Sequence, residues 1–124
     1  EPILYGWPEG ADRHWCGDRD QGDVWNIKKP HKNDLHPTMK PVELVERAIR
    51  NSSRPGQVVL DPFCGSGTTL IAAEKSARVA RLIELDPHYA DVIVRRWQDW
   101  TGQRAMRASD GVTFDTASSE ERQP

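Results

Sequence analysis

Val58-Val59-Leu60-Asp61-Pro62-Phe63-Cys64-Gly65-Ser66-Gly67-Thr68-Thr69 is the stretch whose reading decides the fold. A short apolar run closed by an acid reads as a buried parallel strand. Gly65 and Gly67 then permit backbone torsions that side chains forbid, and let another group approach the main chain closely. Thr68 to Lys75 reads as a helix, with Leu70, Ile71 and Ala73 available for packing. A strand that passes through a glycine-rich turn into a helix is one unit of an α/β sheet.

The flanks repeat the rhythm. Arg81 to Glu84 reads as a second short strand. Asp86-Pro87 reads as a helix start, with Asp capping and Pro in the first turn. Tyr89, Val92, Ile93, Trp97 and Trp100 follow at helical spacing, and Thr101-Gly102 stops the helix. Upstream, Pro41 followed by Val42, Val45, Ala48 and Ile49 predicts a helix that ends by Arg54-Pro55-Gly56. Helix, strand, glycine loop, helix, strand, helix is the order of a doubly wound α/β fold. Residues 2–6 and 23–27 read as short strands by aromatic and β-branched content, with a loop or long hairpin from Pro8 to Gly22 between them. Residues 28–36 are polar and basic, as in an exposed connector. Residues 108–124 are rich in Ser, Thr, Asp and Glu, and a disordered tail is expected there.

With 124 residues the chain has room for one small domain. Hydrophobic residues make up 36% and charged residues 29%, as in a folded protein that meets water. No run approaches the ~18 apolar residues of a membrane span, and no signal-peptide pattern is present. Cys16 and Cys64 suggest no disulfide framework, so a reducing cytoplasm is the expected setting. The net charge of −2 does not announce a nucleic-acid binder, and without residues 108–124 the balance is near neutral. The chain opens on Glu1 with a strand-like stretch, which reads as a piece of a longer protein. His14, Cys16, His31 and His36 match no usual zinc spacing, so no metal site is expected. Cys64 is not expected to be a catalytic thiol.

The loop's ligand can be narrowed. A phosphate-binding P-loop needs a Lys after its last Gly, and Thr68 follows Gly67. The dinucleotide fingerprint needs a third Gly where Leu70 stands. Glu84 comes seventeen positions after Gly67, at the expected end of the next strand. A carboxylate there can accept both hydroxyl protons of a ribose, and Leu85 can pack on an adenine. A glycine loop facing an amino-acid carboxylate, beside an acid facing a ribose, suits S-adenosylmethionine. Asp86 reads equally as a helix cap.

Three ordered stretches carry a resemblance: His36-Pro37-Thr38-Met39-Lys40-Pro41, then Asp61 to Thr69, then Glu84-Leu85-Asp86-Pro87. They resemble successive motifs of the amino-methyltransferases of DNA, which make N6-methyladenine or N4-methylcytosine. Their order is similar to the permuted class, in which the catalytic half precedes the cofactor half. The resemblance covers roughly residues 1 to 105 and implies a Rossmann-like S-adenosylmethionine-dependent methyltransferase fold, here incomplete and limited to its C-terminal portion. It implies that residues 1–35 end a catalytic and target-recognition region, and that residues 36–107 bind the cofactor. It further implies that Thr38 and Lys40 hold the methionine end, that Asp61, Phe63, Gly65, Ser66, Gly67 and Thr68 surround it, that Glu84 binds the ribose, and that Leu85 packs on the adenine. Lys40 otherwise reads as a surface lysine at a helix start. The implied partner is DNA, in the cytoplasm and nucleoid of a prokaryotic or phage-infected cell. Two departures stand out: Ala77 and Leu82 occupy positions where the family usually has Gly.

The family's catalytic tetrapeptide, Asp/Asn/Ser-Pro-Pro-aromatic, holds the amine of a flipped-out base. No Pro-Pro pair occurs in this chain, so no catalytic residue is assigned, and the residues are not expected to methylate DNA alone. In the permuted class the tetrapeptide would lie before Glu1. The rival expectation is a non-catalytic cofactor-binding module, or one half of a split enzyme completed by a separate catalytic polypeptide. Trp7, Trp15 and Trp25, near Lys28, Lys29 and Lys32, read as core or as a stacking platform for DNA. Arg95 and Arg96 read as the solvated face of their helix.

Overall fold

The computed structural model describes residues 1–29 and 39–121. Six elements follow in order: α1 (Val42–Ser52), β1 (Val58–Asp61), α2 (Thr68–Lys75), β2 (Val79–Leu82), α3 (Pro87–Thr101) and α4 (Phe114–Glu120). β1 and β2 pair in parallel, with Val58 opposite Val79 and Asp61 opposite Leu82. Side chains alternate along a strand. Val59 and Ala80 therefore share the face that packs against α1 and α2, where Ile49, Ala72 and Ala73 form the core with Val42 and Val45. Burying one side chain such as Ile49 contributes about 1.5–3 kcal/mol.

The opposite face corrects the expectation of a buried strand. Val58 is 62% exposed, Leu60 65% and Ile83 59%. Only one side of this two-stranded sheet is covered among the described residues. β2 also starts and ends two residues earlier than expected, at Val79 and Leu82, so Glu84 lies beyond the strand end.

Local chemistry sets the helix ends. Pro41, with extended torsions, is the N-cap of α1 rather than a residue of its first turn. Asp86 caps α3 by accepting from the His88 amide at 2.9 Å, and Gly102 closes that helix in a left-handed conformation. At the end of α2 the Arg78 amide donates to the Ala73 carbonyl at 2.8 Å and the Ala77 amide to the Glu74 carbonyl at 3.2 Å. This is a Schellman closure, and Ala77 fills its left-handed position with φ of 60°. The buried Arg78 side chain ties the ends of α1 and α2 together: Nε donates to Ser53 Oγ at 3.0 Å, and Nη2 and Nη1 donate to the Ser53 and Ser76 carbonyls at 2.7 and 2.6 Å.

Residues 2–6 and 23–27 do not form strands; neither segment joins a ladder among the described residues. Strand-prone residues alone do not make a strand, because its backbone groups need a partner edge. Side chains anchor this region instead. Gln21 and Asn51 exchange a reciprocal amide pair at 2.7 and 3.0 Å, and the Cys16 amide donates to the Asn51 carbonyl at 2.8 Å. The expected tail also differs. Residues 105–121 form a turn and α4, held by an isolated bridge between Met106 and Thr113, by the Arg107–Asp110 ion pair, and by Arg95 lying 5.4 Å from the Phe114 ring centroid. One aromatic gives this polar stretch a seat on α3.

Candidate functional site

The glycine loop joins β1 to α2, and both hydrogen bonds and packing set its path. Asp61 holds both ends of its own turn: Oδ1 accepts from the Phe63 amide at 3.0 Å, and Oδ2 from Thr69 Oγ1 at 2.6 Å. The parallel register continues past the strands, with the Ile83 amide donating to the Asp61 carbonyl at 3.0 Å and the Cys64 amide to the Ile83 carbonyl at 3.2 Å. Gly65 and Gly67 sit at φ of 54° and 83°. The two glycines serve different ends. A Cβ on Gly65 would meet nothing within 4 Å, so the backbone there faces open space. A Cβ on Gly67 would come within 3.0 Å of Ile93, so that glycine exists to let α3 approach.

Glu84 closes the loop from the neighbouring strand end. Its Oε2 accepts from the Gly65 amide at 2.7 Å, and its Oε1 accepts from the Asp86 amide at 3.0 Å. Two apolar side chains flank this loop-and-acid pair in sequence and stand in solvent: Phe63 is 89% exposed and Leu85 96%. Leu82, the residue in a usual glycine position, is half-buried opposite Asp61, and Glu84 still reaches the loop.

The remaining expected residues divide as follows. Ser66 and Thr68 are buried. Thr68 Oγ1 donates to the Lys40 carbonyl at 3.0 Å, which joins the loop to the segment leading into α1. The Lys40 ammonium, itself exposed, pairs with Glu1. Thr38, with His36 and Pro37, lies outside the described residues. Cys64 is buried, and burial, helped by the negative charges of Asp61 and Glu84, pushes its thiol above the usual range.

Arg96 is the residue that sequence reasoning missed. It does not lie on a solvated face: its Nη1 donates to the Ser66 carbonyl and to Thr68 Oγ1, both at 3.2 Å, and burial lowers its pKa. Arg95 likewise leaves solvent for Phe114 and Ser118. The tryptophans are divided. Tyr5, Trp7 and Trp15 cluster around Arg13, whose Cζ lies 5.2–5.9 Å from their ring centroids. Trp25 stacks under Arg47 at 4.5 Å.

Residues 10–95 match the model of a family described as DNA methylase. The chain belongs to the DNA methylase family. This methylase chain is 36% identical over 107 residues to the type II methyltransferase M.BglII of Bacillus subtilis, covering 74% of this chain and 30% of that protein. It is 39% identical over 99 residues to the type II methyltransferase M.Cfr9I of Citrobacter freundii, covering 79% of this chain and 33% of that protein. Its fold is similar to that of M1.HpyAVI in the crystal structure of the M1.HpyAVI–SAM complex, with a TM-score of 0.53 and 32% identity over 66% of this chain and 42% of that chain. The chain thus spans about a third of the length of the curated relatives it matches.

Proposed function

We propose that this chain supplies the S-adenosylmethionine site of a DNA methyltransferase that modifies an exocyclic amine, on adenine N6 or cytosine N4. The observation that carries the reading is the Glu84 carboxylate held against the Gly65 amide, with open space over Gly65 and exposed apolar side chains at Phe63 and Leu85. The residues fit the cofactor. Each carboxylate oxygen has two acceptor positions, so Glu84 can keep both amide bonds and still accept the two hydroxyl protons of a ribose. Leu85 offers its side chain to the adenine. Because Glu84 already takes the Gly65 amide, the methionine carboxylate belongs to the Lys40 side of the loop, with Thr38 and Lys40 as its partners. Asp61, Gly67 and Thr68 act as braces of the loop, Gly67 by admitting α3, while Gly65 and Ser66 bring its backbone close to the ligand. When bound, the cofactor supplies an electrophilic methyl group. This chain's work is to orient that group, since positioning of donor and acceptor dominates such transfers.

The acceptor side belongs to a catalytic half of the parent protein that these 124 residues do not include. No Pro-Pro-aromatic tetrapeptide exists in these 124 residues, and the uncovered face at Val58, Leu60 and Ile83 leaves room for a further layer. On this reading DNA is bound by the whole assembly in the cytoplasm, and the chain alone does not methylate. The same open face favours, as a second reading, one half of a split enzyme. Isothermal titration with S-adenosylhomocysteine tests the site. One binding event is expected, lost in Gly65→Val; a folded sample that gives no heat contradicts the proposal.

A further inference from the structure

The geometry points to Arg96 as a positioning residue that locks the glycine loop to the Lys40 segment, so that both sides of the cofactor site are set before ligand arrives. The inference rests on the cofactor reading above.

Arg96 lies in the middle of α3, one turn after Ile93. Residues three apart share a helix face. Ile93 receives Gly67 in van der Waals contact, and Arg96 reaches the residues on either side of that glycine, Ser66 and Thr68. One face of α3 therefore grips three consecutive residues of the loop.

The polarity of the chain of bonds is fixed by chemistry. A guanidinium only donates, so Thr68 Oγ1 must accept from Arg96 and commit its own proton elsewhere. That proton goes to the Lys40 carbonyl at 3.0 Å. The order Arg96 to Thr68 to Lys40 links α3, the start of α2 and the start of α1 in a single orientation. Thr68 is buried, so bulk water does not readily replace either partner. A neutral apolar residue could fill the space beside Ile93 without the cost of desolvating a charge. What only a donor provides here is a pair of hydrogen bonds from one nitrogen to a loop carbonyl and a loop hydroxyl.

The test compares the full chain with Arg96→Met, Arg96→Lys, Thr68→Val and the Arg96→Met/Thr68→Val pair, using two readouts. Amide hydrogen exchange is followed at Gly65 to Thr68, with Ile49 as an internal reference in the core. S-adenosylhomocysteine affinity is followed by calorimetry. Arg96→Met is expected to speed exchange in the loop while leaving Ile49 unchanged, and to weaken binding about ten-fold, as loss of a charged hydrogen bond predicts. Arg96→Lys should restore part of both. The double variant should lose less affinity than the product of the single losses, because the bond between the two side chains is counted in both single losses. If Arg96→Met unfolds the chain, Thr68→Val and Arg96→Lys carry the same comparison. Unchanged loop exchange and affinity in folded variants, or fully multiplicative losses, would overturn the role of Arg96 while leaving the cofactor site standing. Absence of binding by the unaltered chain overturns the cofactor reading itself.

Discussion

The Glu84 carboxylate accepts the Gly65 amide proton at 2.7 Å, nineteen residues away in the chain. Its other oxygen takes the Asp86 amide, so one side chain ties the glycine loop to the start of α3. The parallel pairing of β1 with β2 brings these residues together, because the register carries on through Asp61, Ile83 and Cys64. Fold and site are therefore one arrangement.

Glu84→Ala removes both acceptors. Hydrogen bonds to a charged group contribute about 1.5–3 kcal/mol when sheltered, and the partial exposure of Glu84 discounts this to about 1–2 kcal/mol. Urea denaturation should show that loss, with Glu84→Gln intermediate because its amide retains one acceptor oxygen. Stability equal to the parent chain in Glu84→Ala would mean that the contact contributes nothing.

Gly67→Ala meets two obstacles. A left-handed Ala costs about 1–2 kcal/mol, and its methyl would press on Ile93 at 3.0 Å. A total loss of about 2–4 kcal/mol is expected. Ile93→Ala removes both γ-carbons that the methyl would meet, so the double variant should lose less than the sum of the two single losses; a fully additive loss would show that the backbone alone, and not the approach of α3, demands glycine.

Ala77→Gly should act in the opposite direction. Ala77 holds φ of 60° in the closing turn of α2. Relief of that conformation, less the greater freedom of glycine in the unfolded chain, predicts a gain of about 1 kcal/mol. The denaturation midpoint measures it, and a fall in midpoint would contradict the account.

The two cysteines should differ in reactivity. Burial and the nearby negative charges raise the Cys64 pKa, so at a given pH below it the thiolate is scarcer than in an ordinary thiol. Iodoacetamide between pH 7 and 9 should label Cys16 first, and Cys64 should gain reactivity only as pH rises further. Mass spectrometry of the two peptides reads this out; equal rates would argue against a closed loop.

Much of this was legible in the sequence. The glycine stretch, the three helices around it and the Asp86 cap follow from local rules, each within a few residues of its cause. What local rules could not supply was partnership. Residues 2–6 and 23–27 have strand-prone side chains but no ladder, and the Gln21–Asn51 pair that anchors their region spans thirty residues. Arg96 shows the same limit at the site. Helical spacing places a charged residue on a wet face by default, and nothing nearby in sequence announces that Ser66 and Thr68 lie beneath it. The exposed side of β1 was hidden for another reason: an apolar run asks for burial, but the covering layer is absent from the described residues.

The central claim is that the glycine loop and Glu84 together hold the methyl donor. Titration of the ¹⁵N-labelled chain with S-adenosylhomocysteine, followed amide by amide, tests it most directly. Saturable shifts centred on Gly65, Ser66, Gly67 and Leu85, with smaller changes at Lys40, are predicted. Shifts confined to the aromatic cluster of Tyr5, Trp7 and Trp15, or none in a folded chain, would contradict it.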